Sequence, residues 1–325
     1  MATASIIIPT RNMETSISHL LESIFSQEYN GEIEVLIMDS SDDMTPQIAQ
    51  AFPVRIIRVE PEDYNYGKTR NEGAAIVRGD FLVFISADVE IADRRWLSKL
   101  TSHFADPKVA GVYGRQLPEE GAAPMDQFFI LHAYPPESAT LEVEGGKIRT
   151  RRLVFFSNTN SAIRRSIWEQ IKIPEMLKSE DHEWAKRALL AGYKIVYDAD
   201  AGVYHTNSYS LKKVFHEHFD TGATIPVINR ERVVDQSLRR FVLEGVGYVY
   251  NEYIFMLRHG HWRSIPYAIA YDTAKSLGIL LGSGQQNMPL WMKRVLCKKK
   301  NHWDKYSDVI KEPESPEKMK EATSL

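Results

Sequence analysis

An α/β fold, with a mostly parallel central sheet and helices on both faces, is predicted by three features of this 325-residue chain. Short β-rich runs alternate with helical patterns through the first half, and such alternation implies right-handed crossovers between parallel strands. Two of the runs end on an acid, at the strand edge where open α/β sheets bind ligands. After about residue 207 the pattern turns helical, so a helical extension follows the sheet.

The strands are expected at Ser5–Ile8, Glu34–Met38, Val54–Val59, Phe81–Ile85 and Ala110–Tyr113, apolar runs of strand length. Helical patterns lie between them near Glu14–Ser26, Pro46–Ala51, Thr69–Val77 and Trp96–Phe104. A second block, from about Phe155 to Asn207, holds a helix near Glu180–Leu190 ended by Ala191-Gly192, then a strand at Lys194–Tyr197. Leu238, Phe241, Val242, Val246, Val249, Tyr253 and Met256 are spaced by three and four, a face predicted to pack on the first domain. The chain divides into a sheet domain (1–207), a helical extension (208–290), a basic segment (291–310) and a charged tail (311–325) predicted to be disordered.

Apolar content of 43% and charged content of 26% are those of a soluble globular protein. A net charge of -3 gives no reason to expect nucleic acid as a partner. The single cysteine, Cys297, excludes an internal disulfide and a Cys-based zinc site, and fits a reducing compartment. The first residues lack the basic start and apolar core of a signal peptide. No window offers the roughly 18 uninterrupted apolar residues of a membrane span. Glu244 and Glu252 interrupt one candidate, Asp272 and Lys275 the other. The expectation is a cytoplasmic protein. Its segment "MPLWMKRVLCKKKNHWDKY" interleaves cations with Trp291 and Trp303, which suits either the anionic inner face of a membrane or a solvated helix.

Asp39 follows "EVLIM" and Asp88 closes "FLVFISAD"; His205 follows "AGVY", and "SED" (Ser179–Asp181) opens a helix. Lys68 and Arg70 lie in "YNYGKTRNEGAA", where helix N–H groups and two cations would suit a diphosphate. Each has a purely structural reading: turn or helix cap for the acids, solvated face for the cations, core position for the histidine. Their ordered occurrence at strand and helix ends favours a site. The first strand runs into "PTRN" (Pro9–Asn12), not the glycine-rich loop of a dinucleotide-binding dehydrogenase or a sugar-nucleotide pyrophosphorylase.

On "SIIIPTRN", "EVLIMDSSDD", "YNYGKTRNEGA", "FLVFISAD", "GVYGRQLP", "FFSNTNSAIRRSIWE", "SEDHEWAKRALLAGYKIVY" and "VYHTNSYSLKKVF", the chain resembles inverting glycosyltransferases of family 2, which have the GT-A fold. It is most similar to the bacterial dTDP-rhamnosyltransferases, and "AKSLGILLG" and "MPLWMKR" carry the likeness almost to the end. The resemblance implies transfer of a sugar from a nucleotide donor, dTDP-rhamnose, to a saccharide acceptor on a lipid carrier. It implies that Pro9, Thr10, Arg11 and Asp39 contact the nucleoside, that Lys68 and Arg70 lie near the diphosphate, and that Asp88 and His205 hold a divalent ion, Mg2+ or Mn2+. Asp181 matches the catalytic base, with Glu180 and Trp184 at the acceptor or behind the base. The chain departs from the family at Ala87, which supplies no ligand, so diphosphate and water would fill most of the metal's shell. A UDP-hexose donor, or nucleotide-sugar binding without catalysis, are the alternative readings.

Overall fold

The computed structural model describes residues 2–145, 147–148, 156–207, 209–228, 238–305 and 308–311. Along the sheet domain run β1 (Thr3–Thr10), α1 (Ile17–Phe25), β2 (Glu32–Asp39), α2 (Thr45–Ala49), β3 (Arg55–Arg58), α3 (Tyr66–Ile76), β4 (Phe81–Ile85), β5 (Glu90–Ile91) and α4 (Trp96–Ser102). There follow β6 (Val109–Leu117), α5 (Pro124–Ala133), β7 (Ala139–Leu141), the short pair β8 (Val143–Glu144) and β9 (Lys147–Ile148), β10 (Asn160–Arg164), α6 (Arg165–Gln170), β11 (Glu175–Met176), α7 (Glu180–Leu190) and β12 (Lys194–Tyr204). The extension comprises α8 (Leu211–Ile228), α9 (Leu238–Arg258), α10 (Ile265–Ser283), α11 (Leu290–Leu296), α12 (Lys300–Lys305) and β13 (Ile310–Lys311).

The main sheet has the order β3-β2-β1-β4-β10-β6-β12-β5. Its first four strands are parallel, and the register pairs Thr10 with Asp39 at their C-terminal ends. Successive side chains of a strand point to opposite faces. Ile7, Leu36, Leu82 and Phe84 accordingly fill one core, while Ile6, Ile8, Val35, Ile37 and Val83 fill the other. Burial on both faces is why these strands read as unbroken apolar runs.

The sheet is less uniformly parallel than expected, because β10 runs antiparallel between β4 and β6. Its polar residues hid it. Asn160 and Ser161 are fully buried, and the Asn160 side chain receives the Trp96 indole N–H at 2.8 Å and donates to the Ala201 carbonyl at 2.9 Å. The strand expected at Lys194–Tyr197 continues to Tyr204 through an irregularity between Asp198 and Val203, which delivers His205 to the sheet edge.

In the extension α8 and α10 pack backbone to backbone. A Cβ on Gly282 would lie 2.1 Å from the Phe219 carbonyl oxygen, so only glycine permits that approach. The expected apolar face of α9 is corrected in part. Met256 is buried, but Val246 is 64% exposed, and Glu252 turns inward at 1% exposure. The side chains of Leu238, Phe241 and Val242 lie outside the described set, as do residues 312–325 of the predicted tail.

The basic segment does not stand apart from the fold. Cys297, Trp303 and Val309 pack with Met176, Leu177 and Phe219, and β13 pairs with β11. Lys298 and Lys178 share Glu217, Lys305 pairs with Asp63 at 2.7 Å, and Arg294 pairs with Asp304. Trp303 is 3% exposed, so it is no surface anchor, whereas Trp291 is 66% exposed.

Candidate active site

The crevice beyond the C-terminal ends of β1, β2 and β4 collects the first group. Asp39 is buried, takes the Thr10 hydroxyl on Oδ1 at 2.7 Å and Arg58 Nη1 on Oδ2 at 3.2 Å. The carboxylate retains acceptor capacity for a ligand N–H, since each oxygen has two lone pairs. Pro9 is half-buried in β1 and Arg11 is exposed just beyond it. Asn12, at a left-handed φ of 57°, ties this turn to the loop after β2: its N–H meets Ser41 Oγ at 2.9 Å and its Oδ1 takes the Asp42 N–H at 2.9 Å.

Asp88 stands just beyond β4 with its side chain 48% exposed, and its Oδ1 lies 3.6 Å from His205 Nε2. Partial burial would raise its carboxyl, but the adjacent His205 outweighs that and holds it below the usual carboxylate value. His205 is oriented from behind. Gln116 gives its two amide hydrogens to Tyr134 Oη (2.7 Å) and Ser157 Oγ (3.2 Å), so its Oε1 must accept from His205 Nδ1–H at 2.8 Å. That leaves Nε2 as the nitrogen on the Asp88 side, with the Asn207 amide nitrogen 3.1 Å from it. One carboxylate oxygen and one imidazole nitrogen so fixed suit a divalent ion, manganese in particular, with an outer hydrogen bond of the kind metal-binding histidines carry. Among the described residues no group of three or more His, Cys, Asp or Glu could hold a metal ion. Ala87 is buried in the core and contributes none.

The two cations of α3 that were expected near a diphosphate are placed differently. Asn65 Oδ1 already accepts the N–H groups of Gly67 (3.0 Å) and Lys68 (3.1 Å), so the helix start is capped by its own chain. Arg70, 6% exposed, is turned inward onto Glu180 at 2.7 Å. Asn65 and Asn71 donate to the Met176 and Ile173 carbonyls, so α3 braces the segment leading to α7. Lys68 alone remains half-exposed, with Glu72 at 3.7 Å.

Two adjacent acids at the start of α7 are thereby divided. Burial and the neighbouring Asp181 charge raise the Glu180 carboxyl, against the pull of Arg70 and Lys299. Asp181 is half-buried; Oδ2 accepts the Asn158 N–H at 3.2 Å and Oδ1 that of His182 at 2.9 Å. Ser179, at φ 62°, sits in the left-handed region and its side chain caps nothing, so the purely structural reading of "SED" loses its cap. Trp184 is fully buried against Phe156 and donates to the Ile171 carbonyl at 2.9 Å. It cannot touch an acceptor and only supports α7 from the core.

Sequence reasoning missed Gln116, Arg58, Asn158 and Lys299. Lys299 reaches back from the basic segment, lies 3.4 Å from the centre of the Tyr66 ring and donates to the Leu177 carbonyl at 3.0 Å. Burial pulls its ammonium down to about 8, with Glu180 opposing. Gln116 and Asn158 had a signal, their places in "YGRQLP" and "FFSNTNSAIRRSIWE".

This sheet, with acids gathered at its strand ends, has the GT-A architecture. A mannosyltransferase from Pyrobaculum calidifontis, solved with GDP-mannose and Mn2+, superposes with a TM-score of 0.57 at 18% identity over 89% of this chain and 87% of its own. Residues 1–349 of Staphylococcus aureus TarS, solved with UDP-GlcNAc, superpose with a TM-score of 0.53 at 18% identity, over 94% and 88%. The chain belongs to glycosyl transferase family 2, whose family model matches residues 5–172, and it is a glycosyltransferase. It is 34% identical over 316 residues to the O-antigen chain rhamnosyltransferase WbaN of Salmonella anatum, covering 94% of this chain and 96% of the relative. It is 32% identical over 311 residues to RfbN of Salmonella typhimurium, a protein of the same description, covering 92% and 96%. No helix among the described residues is long and apolar enough to cross a membrane.

Proposed function

We propose that the protein transfers rhamnose from dTDP-rhamnose, with inversion, to a lipid-linked saccharide in cell-surface polysaccharide synthesis. It would work in the cytoplasm, against the inner face of the membrane. The observation that carries the mechanism is the division of the acids: Glu180 is consumed by Arg70, while Asp181 is half-buried beside the crevice with lone pairs to spare. Asp181 takes the proton of the acceptor hydroxyl as that oxygen attacks the anomeric carbon, and the nucleoside diphosphate leaves from the opposite side. Asp39 and Thr10 hold the nucleoside and Lys68 lies toward the diphosphate. Asp88 and His205 would hold Mn2+ or Mg2+, which when bound supplies Lewis-acid neutralisation of the leaving group. Rhamnose as donor sugar is supported by the two relatives named above, each similar over nearly its full length.

Asp181→Asn keeps the shape but cannot accept a proton. It is expected to lower turnover roughly 10²- to 10⁴-fold while dTDP-rhamnose affinity stays within a few-fold. Transfer assays beside donor titrations, with product configuration read by NMR, check this. Normal turnover by the variant would remove Asp181 as base, and faster transfer from a UDP-hexose would replace the donor.

A further inference from the structure

An open cleft of about 540 Å³ lies between the start of α8 and the α11–α12 segment, and its lining includes Lys212, Lys213, His216, Val295, Lys298 and Lys300. Among the described residues Lys298 is the one of these cations matched by a carboxylate, Glu217, which Lys178 shares. Lys213 lies over the Tyr209 ring at 4.5 Å, and His216 Nδ1 is held by the Leu296 carbonyl at 2.7 Å. Among the described residues no carboxylate pairs with Lys212, Lys213 or Lys300, and Lys212 and Lys213 stand exposed. Three uncompensated cations round one concavity favour an anion, and lysines recognise phosphate as point charges.

The wall contributed by α11 is apolar. Val295 (59% exposed) lines the cleft and Trp291 (66% exposed) precedes it by four residues, so both project from one side of the helix. Phosphate-seeking cations bordered by an exposed tryptophan and valine describe an amphiphile, a phosphate carrying a hydrocarbon tail. The cleft also adjoins the transfer site. Lys298 of its lining shares Glu217 with Lys178, three residues before Asp181, and Tyr209, beside Lys213 and Lys298, follows His205 by four residues.

We propose that this cleft binds the phosphate of the acceptor's lipid carrier, with its hydrocarbon chain along Trp291 and Val295, and so holds the carried saccharide toward Asp181. The proposal rests on the lipid-linked-acceptor reading, but it is tested without sugar transfer. Full-length protein is titrated calorimetrically with farnesyl diphosphate below its micelle concentration, with inorganic pyrophosphate and with thymidine diphosphate. Farnesyl diphosphate is expected to bind at least about tenfold more tightly than pyrophosphate, from burial of part of its chain. The double variant K212E/K300E, at exposed positions, should weaken farnesyl diphosphate roughly tenfold per lysine and leave thymidine diphosphate unchanged. Trp291→Ser should weaken farnesyl diphosphate but not pyrophosphate. Three results overturn the proposal: no effect of the double variant, equal binding of pyrophosphate and farnesyl diphosphate (a free-anion site), or an equal loss of thymidine diphosphate (a donor site). Loss of the donor or base assignment would show in the transfer assay and leave these titrations untouched.

Discussion

Gln116 holds the Nδ1 proton of His205 and so decides which nitrogen faces Asp88. Leucine at 116 would roughly keep the volume but release the ring to either tautomer. Outer hydrogen bonds of this kind are worth about 10- to 100-fold in metal affinity. Gln116→Leu is therefore expected to weaken Mn2+ about tenfold in the presence of thymidine diphosphate, without changing metal-free nucleotide binding. Asp88→Ala should go further and erase the coupling between ion and diphosphate, each of which is expected to raise the other's affinity by one factor in the wild type. Calorimetric titration in both orders measures that factor; equal diphosphate affinity with manganese and with a chelator would return Asp88 to a turn-capping role. The position of Asp39, Asp88 and His205 at strand ends was legible because each closely follows an apolar run. The burial of Arg70 was not legible, because its partner, Glu180, lies 110 residues away.

The seam between α9 and α10 is polar where a core was expected. Glu252 is buried near Asp272 and Lys275, and its Oε2 finds no partner among the described residues. Burial, then the Asp272 charge, pushes the Glu252 carboxyl up to about 8. A folded-state value above the unfolded one means stability is fully present below about pH 4.5 and is lost as pH rises through 8. Glu252→Gln is expected to flatten this loss and to stabilise the protein by on the order of 1–2 kcal/mol at pH 8.5, with little effect at pH 5. Urea denaturation at the two pH values decides it, and a variant with the wild-type slope would show that Glu252 stays ionised. Apolar spacing of three and four located this helix but not its orientation, since Glu252 takes an inward position that Val246 yields. The strands of the first half were easier to read, being buried on both faces; β10 was not, because Asn160 and Ser161 replace apolar side chains with hydrogen bonds.

Across the whole molecule the basic segment is a strap on the sheet domain. Its cations looked free because their acids are remote in sequence, Glu217 lying 81 residues from Lys298 and Asp63 lying 242 from Lys305. Trp303 is the strap's buried apolar anchor, and truncating a core tryptophan costs about 3–5 kcal/mol. Trp303→Ala is expected to destabilise by that amount, and to lower turnover more than donor affinity, because Lys299 would lose its place on Tyr66 and Leu177. Chemical denaturation with parallel kinetics is the measurement. A loss below about 0.5 kcal/mol, as at an ordinary surface position, would mean the strap is not docked.

That strap also fixes an order in time. Leu177 and the acids after it leave the ribosome well before Lys299, which follows Leu177 by 122 residues, and β11 waits as long for β13. Chains lengthen by about 5–20 residues per second, so the sheet can fold several seconds before the segment bearing Asp181 receives its last supports. The strand ends that carry Thr10 and Asp39 can thus be formed while the start of α7 is still loosely held. The start of α7 is fully braced only after Lys299 and β13 have been made.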